Sequence, residues 1–209
     1  MIFEYLTTSP EETSRLGELL AGCLLPGDLI VLDGPLGAGK TRLVRGLARG
    51  LGADERSVSS PTFVLCQEYP CADERVLAHI DAYRMASTDD LESIGWSELR
   101  ADPDTIIALE WPSRVAEVID RERPVRVLLE HAGETERRVS IDVPDAAAER
   151  FARLAPRTRP CPACGRPASM HGPDAPFCSE RCRRLDLGDW LSERHRLSRP
   201  ISPDDEPGA

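Results

Sequence analysis

Lysine is nearly absent from this 209-residue chain: of its 26 lysine and arginine positions, only Lys40 is lysine. Other absences set boundaries. No apolar run approaches the roughly 18 residues that a membrane span requires. The amino-terminal MIFEYLTTSPEE has neither the basic region nor the apolar stretch of a secretory signal. There is no internal repeat. The chain also lacks an excess of positive charge: its net charge is −10 and its pI about 5.0, which excludes a protein that coats nucleic acid by charge alone. Cysteines number seven, an odd count. Four crowd into Cys161–Cys182, while Cys23, Cys66 and Cys71 are scattered, which fits a reducing cytosol better than a secreted disulfide framework. The expectation is a cytoplasmic protein with no membrane partner, long enough for one core-bearing domain and a small module.

What is present falls into order along the chain. IFEYL (2–6) reads as a short strand. The following TSPEETSRLGELLAGCL opens a helix with Ser9 as N-cap, Pro10 at its first position and Glu12 placed for a capping box. LIVLD (29–33) is a continuous apolar run, the mark of a strand buried on both faces. TRLVRGLARGL (41–51) carries a helical apolar stripe stopped by Gly52. VLCQEY (64–69) and VLAHID (76–81) suggest a hairpin after the loop VSSPTF. TIIALE (105–110) is a further buried strand with Pro112 and a short helix behind it, and VRVLLE (125–130) and RRVSIDV (137–143) read as an antiparallel pair. AAAERFARLAP suggests one more helix. The sum is an α/β domain, a P-loop NTPase-like mixed sheet flanked by helices, with a parallel centre and antiparallel additions.

Gly34–Pro35–Leu36–Gly37–Ala38–Gly39–Lys40–Thr41 satisfies G-x-x-x-x-G-K-[ST], between a strand and a helix as that motif needs. Its glycines let backbone N–H groups turn inward around phosphate oxygens. Lysine survives here because a compact ammonium on a slim stem reaches the β/γ-phosphates, where a planar guanidinium does not fit. Thr41 offers a hydroxyl to Mg²⁺. Ras-type GTPases read guanine with N-K-x-D, and there is no second lysine to build one, so ATP is the expected nucleotide. Two further strands end in acids, Asp81 and Glu110. Strand carboxyl ends converge on the ligand crevice of such a sheet. Asp81 would therefore hold Mg²⁺, through water, and Glu110 would orient the nucleophile or complete the metal shell. The competing reading makes either acid a mere cap for the next helix.

These elements together resemble the TsaE (YjeE) family, the ATPase of bacterial tRNA threonylcarbamoyladenosine synthesis. The matching residues are Thr13 and Gly17, GPLGAGKT, SPTFVLCQEY (60–69), HIDAYR (79–84), LESIGW (91–96) and LEWP (109–112), within a match over about 1–145. The resemblance implies a Mg²⁺-dependent, partner-stimulated ATPase acting with TsaB and TsaD, and touching tRNA only through that complex. It implies Lys40, Asp81 and Glu110 as essential residues, and Ser60, Pro61 and Thr62 as a switch-like loop near the γ-phosphate. It also puts Thr13 beside the nucleotide base, and Trp111 adjoins the site either as a ligand contact or as core filler. His79 reads as a packed strand histidine, not a base.

CPACG and FCSERC place Cys161, Cys164, Cys178 and Cys182 as two close pairs separated by thirteen residues. Such pairs can close a tetrahedral structural Zn²⁺ site around which an otherwise apolar-poor segment folds. Disulfides or idle thiols are the rival readings, and His171 and His195 read as surface residues. The segment 161–197 resembles YacG, a small zinc protein family that inhibits DNA gyrase through its B subunit. Its slight basic excess reads as a solvated face. The expected layout is an ATPase domain at 1–150, a linker at 151–160, a zinc module at 161–199 and a disordered tail at 200–209. Two other functions stay open: a nucleotide-sensing gyrase inhibitor, and a small-molecule P-loop kinase.

Overall fold

The computed structural model describes residues 1–155, 158–169 and 174–191. The sequence readings for His171, His195, residues 192–199 and the tail 200–209 lie outside these. Two compact units divide the chain, Met1–Ala155 and Pro156–Ala209.

The first unit is built on a seven-stranded sheet. Its strands are β1 (Ile2–Thr7), β2 (Leu29–Asp33), β3 (Cys66–Pro70), β4 (Val76–Asp81), β5 (Thr105–Glu110), β6 (Val125–His131) and β7 (Arg137–Asp142), in the order β1-β7-β6-β2-β5-β4-β3. The four central strands β6, β2, β5 and β4 run parallel, and β3, β7 and β1 pair antiparallel at the edges. The mixed sheet expected from the alternation of elements is the one observed.

Alternation along the central strands sends side chains into two cores. Ile30 and Leu32, with Ile106 and Ala108, join one core with helices α1 (Pro10–Ala21) and α2 (Lys40–Leu51). Leu29 and Val31, with Ile107 and Leu109, join the other, against helices α3 (Thr88–Glu92), α4 (Trp96–Ala101) and α5 (Ala116–Ile119). A strand buried on both faces has no polar positions to spare until its end.

Helices α1 and α2 meet through glycine. A Cβ on Gly46 would lie 1.9 Å from the Ser14 carbonyl oxygen, and one on Gly17 would lie 2.2 Å from that of Leu43. Only hydrogen fits at either crossing point, so Gly17 has a packing role.

Local chemistry departs from the sequence reading in a few places. Ser9 caps α1 by accepting from the Glu12 N–H, but the Glu12 carboxylate accepts from Thr8 N instead of from Ser9, one residue before the box position. β3 begins at Cys66 and not Val64, because the Pro61 carbonyl takes the N–H of both Val64 and Leu65 in a turn that leaves Leu65 at φ 64°. The helix near residue 148 is short: α6 covers Ala148–Phe151, flanked by 3-10 turns. Its Phe151 and the following Leu154 are buried in the first unit's core. Residues 151–155, read from sequence as linker, therefore belong to that unit.

Among the described residues, the second unit has a short hairpin, β8 (Thr158–Pro160) with β9 (Pro167–Ser169), and one helix, α7 (Glu180–Leu191). The hydrophobic cluster among its described residues is Cys161, Ala168 and Cys182, with Phe177 and Cys178 against them.

Candidate functional site

The site forms where β2 gives way to α2. Gly34 turns the chain at φ 139°, with its α-carbon pressed so close to β6 that a Cβ would come 2.2 Å from the Leu129 carbonyl oxygen. Gly37 and Gly39 also take positive φ. α2 starts at Lys40 with no side-chain cap and no acid in its first turn, which leaves its N–H donors and positive end for an anion. The loop is braced from the β6–β7 hairpin. Arg137 donates through Nε to the Ala38 carbonyl (3.2 Å) and through Nη2 to that of Gly37 (3.1 Å). No sequence motif pointed to Arg137. Its role follows only from β7 lying beside β6.

Lys40 is buried, and its Nζ donates to the carbonyls of Gly34 (2.8 Å) and Pro35 (3.2 Å). The ammonium also stands 3.7 Å from the centre of the Trp111 ring, a cation–π contact. Burial lowers the Lys40 pKa, while Glu110, Asp33 and Asp81 oppose that shift. Three carboxylates thus act electrostatically on one ammonium. Asp33 was missed from sequence because it reads simply as a strand end.

β4 and β5 are parallel neighbours whose register pairs Asp81 with Glu110. Paired residues on adjacent strands point to the same sheet face, here the face covered by α2. Glu110 Oε1 accepts from Thr41 Oγ1 at 2.9 Å, so this acid and the phosphate-loop hydroxyl are in direct contact. Asp81 Oδ2 accepts from Ser60 (3.0 Å) and Thr62 (2.6 Å), and its Oδ1 accepts the Tyr83 N–H at 3.0 Å. The helix-cap reading of Asp81 is therefore true of one oxygen, while the other ties down the 60–62 loop.

Trp111 takes a left-handed backbone, φ 62° and ψ 53°, and its indole packs 5.1 Å from the Tyr83 ring. Of the two readings from sequence, the packing one is seen, since Trp111 lies against the second core; its ring also touches the site lysine. Thr13 is buried, with its hydroxyl bonded to Thr7 Oγ1 (2.8 Å) and the Ser9 carbonyl (3.3 Å). It lines a cavity of about 240 Å³ beside the loop, together with Pro10, Gly37, Gly39, Arg42 and Arg137. A larger cavity of about 620 Å³ lies at the opposite, amino ends of the strands. There Asp28–Arg150, Glu122–Arg100 and Asp120–Arg126 neutralise one another.

In the second unit the Sγ atoms of Cys161, Cys164, Cys178 and Cys182 all lie within 4.8 Å of one another. Cys178 Sγ is 3.4 Å from that of Cys164 and 3.6 Å from that of Cys182. Zn–S bonds of about 2.3 Å in a tetrahedron separate sulfurs by about 3.8 Å, so the donor set and its spacing fit that ion. Hydrogen bonds from the Arg166 side chain and backbone pull the Cys164 thiol down to about 6, while the hydrogen bond it shares with Cys164 pushes the Cys178 thiol up to about 12, so the pair holds a proton that a bound metal would displace.

The fold and the loop define the first unit as a P-loop NTPase-like α/β domain. Residues 7–139 match the family model described as threonylcarbamoyl adenosine biosynthesis protein TsaE. The chain belongs to the TsaE family. It is 37% identical over 139 residues to the tRNA threonylcarbamoyladenosine biosynthesis protein TsaE of Bacillus subtilis, covering 66% of this chain and 83% of that one. To the protein of the same name from Streptomyces coelicolor it is 40% identical over 111 residues, 52% of this chain and 73% of the other. The crystal structure of Bacillus subtilis YdiB superposes with a TM-score of 0.56 at 27% identity, covering 74% of this chain and 94% of that one. Residues 159–208 match a second model, DNA gyrase inhibitor YacG. Among the described residues, no helix is long and apolar enough to cross a membrane.

Proposed function

We propose that the chain hydrolyses ATP in tRNA N6-threonylcarbamoyladenosine synthesis, as a partner of TsaB and TsaD in the cytoplasm. One observation carries the reading: residues from three separate stretches of the chain, Lys40 with Thr41, Asp81, and Glu110, come together around a glycine loop at the carboxyl ends of parallel strands. The loop N–H groups and Lys40 hold the terminal phosphates. The Thr41 hydroxyl gives its hydrogen to Glu110 and keeps its lone pairs for Mg²⁺, while Asp81 steadies the Ser60–Thr62 loop and supports the metal. Bound there, Mg²⁺ neutralises charge developing on the transferred phosphoryl group. The cavity lined by Thr13 and Arg137 suits the nucleoside end. Leu36 and Phe63 are 84% and 82% exposed beside the site, apolar surface that favours a docking partner.

The test is Lys40→Ala introduced into cells lacking their own TsaE, with modified tRNA nucleosides measured by mass spectrometry. Loss of modification and of ATP binding supports the proposal, and retention of both sinks it. For the second unit we propose a structural Zn²⁺ held by the four cysteines and a protein-binding role. The match to the YacG model favours DNA gyrase as its target, bound through the B subunit of that enzyme. Supercoiling assays with the full chain test this, and no inhibition at micromolar excess removes it.

A further inference from the structure

We infer that His79 is a positioning residue for Glu110, a role beyond filling the strand. It stands two residues before Asp81 on β4, so the alternation that aims Asp81 at the site aims His79 the same way, one step deeper. His79 is fully buried, and its Nε2 lies 2.9 Å from Glu110 Oε1. Its Nδ1 has no hydrogen-bond partner among the described residues. A carboxylate oxygen accepts, so the 2.9 Å contact with Glu110 needs a hydrogen on Nε2. The ring hydrogen therefore sits on Nε2 and is donated to the carboxylate. The neighbouring Tyr69 does not compete for it, since its ring is 6.4 Å away and its hydroxyl bonds Gln67.

Both hydrogen bonds to Glu110 fall on Oε1, one from His79 and one from Thr41. Oε1 is thereby committed to the protein, and Oε2 accepts neither. A carboxylate pinned from behind by one donor is fixed in rotation, and that rotation sets where the Thr41 lone pairs point. His79 thus orients two groups at once without touching nucleotide. This rests on the reading of Thr41 and Glu110 as Mg²⁺-binding residues. Groups that orient metal ligands typically matter about 10–100-fold in metal affinity.

The experiment measures ATP affinity of the full chain by calorimetry, in Mg²⁺ and in EDTA, for wild type, His79→Phe and His79→Gln. The gain in affinity on adding Mg²⁺ is expected to fall about 10–100-fold in His79→Phe. Affinity in EDTA should stay unchanged, and His79→Gln, whose amide N–H reaches the same oxygen, should keep the gain to within a few-fold. If wild type shows no Mg²⁺-dependent gain, the metal reading itself fails and this inference falls with it. If wild type shows the gain and a folded His79→Phe keeps it, the inference alone is overturned, as it is when Gln and Phe lose it equally. Should His79→Phe not fold, ¹⁵N spectra of histidine-labelled wild type decide: hydrogen on Nε2 with bare Nδ1 supports the role, and hydrogen on Nδ1 refutes it.

Discussion

Replacing Gly46 by alanine sets two physical effects against each other. Helix propensity favours alanine over glycine by about 1 kcal/mol at an interior position. The α1–α2 crossing opposes it. The new methyl group would lie 1.9 Å from the Ser14 carbonyl oxygen and 2.8 Å from the carbonyl carbon. Ordinary contact begins near 3.4 Å, so the helices must separate by about 1.5 Å. The obstacle is backbone and cannot rotate away. Overpacking costs about 1–3 kcal/mol, and a backbone clash belongs at the upper end. With about 3 against and about 1 in favour, the net loss is about 2 kcal/mol. For a unit of this size each kcal/mol lowers Tm by about 2–4 °C, giving a drop of about 4–8 °C. Melting followed by circular dichroism on the full chain reads this directly. Gly188→Ala in α7 is the control: a Cβ there meets nothing within 4 Å, so propensity acts alone and the variant should hold or gain stability. An unchanged or raised Tm for Gly46→Ala would refute the close-approach argument. Because α2 begins with Lys40 and Thr41, the destabilised variant should also bind ATP more weakly.

Other perturbations read the site itself. Lys40→Arg keeps the charge but replaces a slim ammonium by a broad fork. One charged hydrogen bond is worth about 1.5–3 kcal/mol, so ATP affinity by calorimetry should fall at least about tenfold. Asp81→Ala removes the acceptor of Ser60, Thr62 and the Tyr83 N–H, and amide exchange across residues 59–65 should quicken at least about tenfold while the central strands stay protected. Cys178→Ser removes one of four sulfurs within 4.8 Å. Metal analysis should show zinc falling from about one per chain to none, with loss of the α7 helical signal, because three of the cysteines that would hold the ion also form the described cluster.

Much of the sheet was legible because its signals are local. TIIALE is a strand of six buried residues, and its expected bounds at 105 and 110 are where they stand. The glycine loop announced itself through the strand before it and the helix after it. Reading failed where a contact spans the fold. Arg137 is remote in sequence from the Gly37 and Ala38 carbonyls it braces, and RRVSIDV carries no sign of that use. Gly17 stands out as part of a pattern, but its reason lies on another helix. His79 reads as a packed histidine; its place on β4 was visible, but its partner on β5 depended on register.

The sequence by itself determined which residues could grip phosphate, since the glycines, the lone lysine and the threonine are contiguous and their geometry is set within one turn. It likewise determined a four-sulfur cluster, as two close cysteine pairs leave few other arrangements. Tertiary structure alone decided that Asp81 and Glu110 share a face, that Thr41 reaches Glu110, and that His79 stands behind it. The Asp81 and His79 placements depend on parallel register between β4 and β5, about 30 residues apart, and the Thr41 contact on α2 packing over β5 from 69 residues away; both are fixed by how two buried faces fill and by no neighbour in the chain.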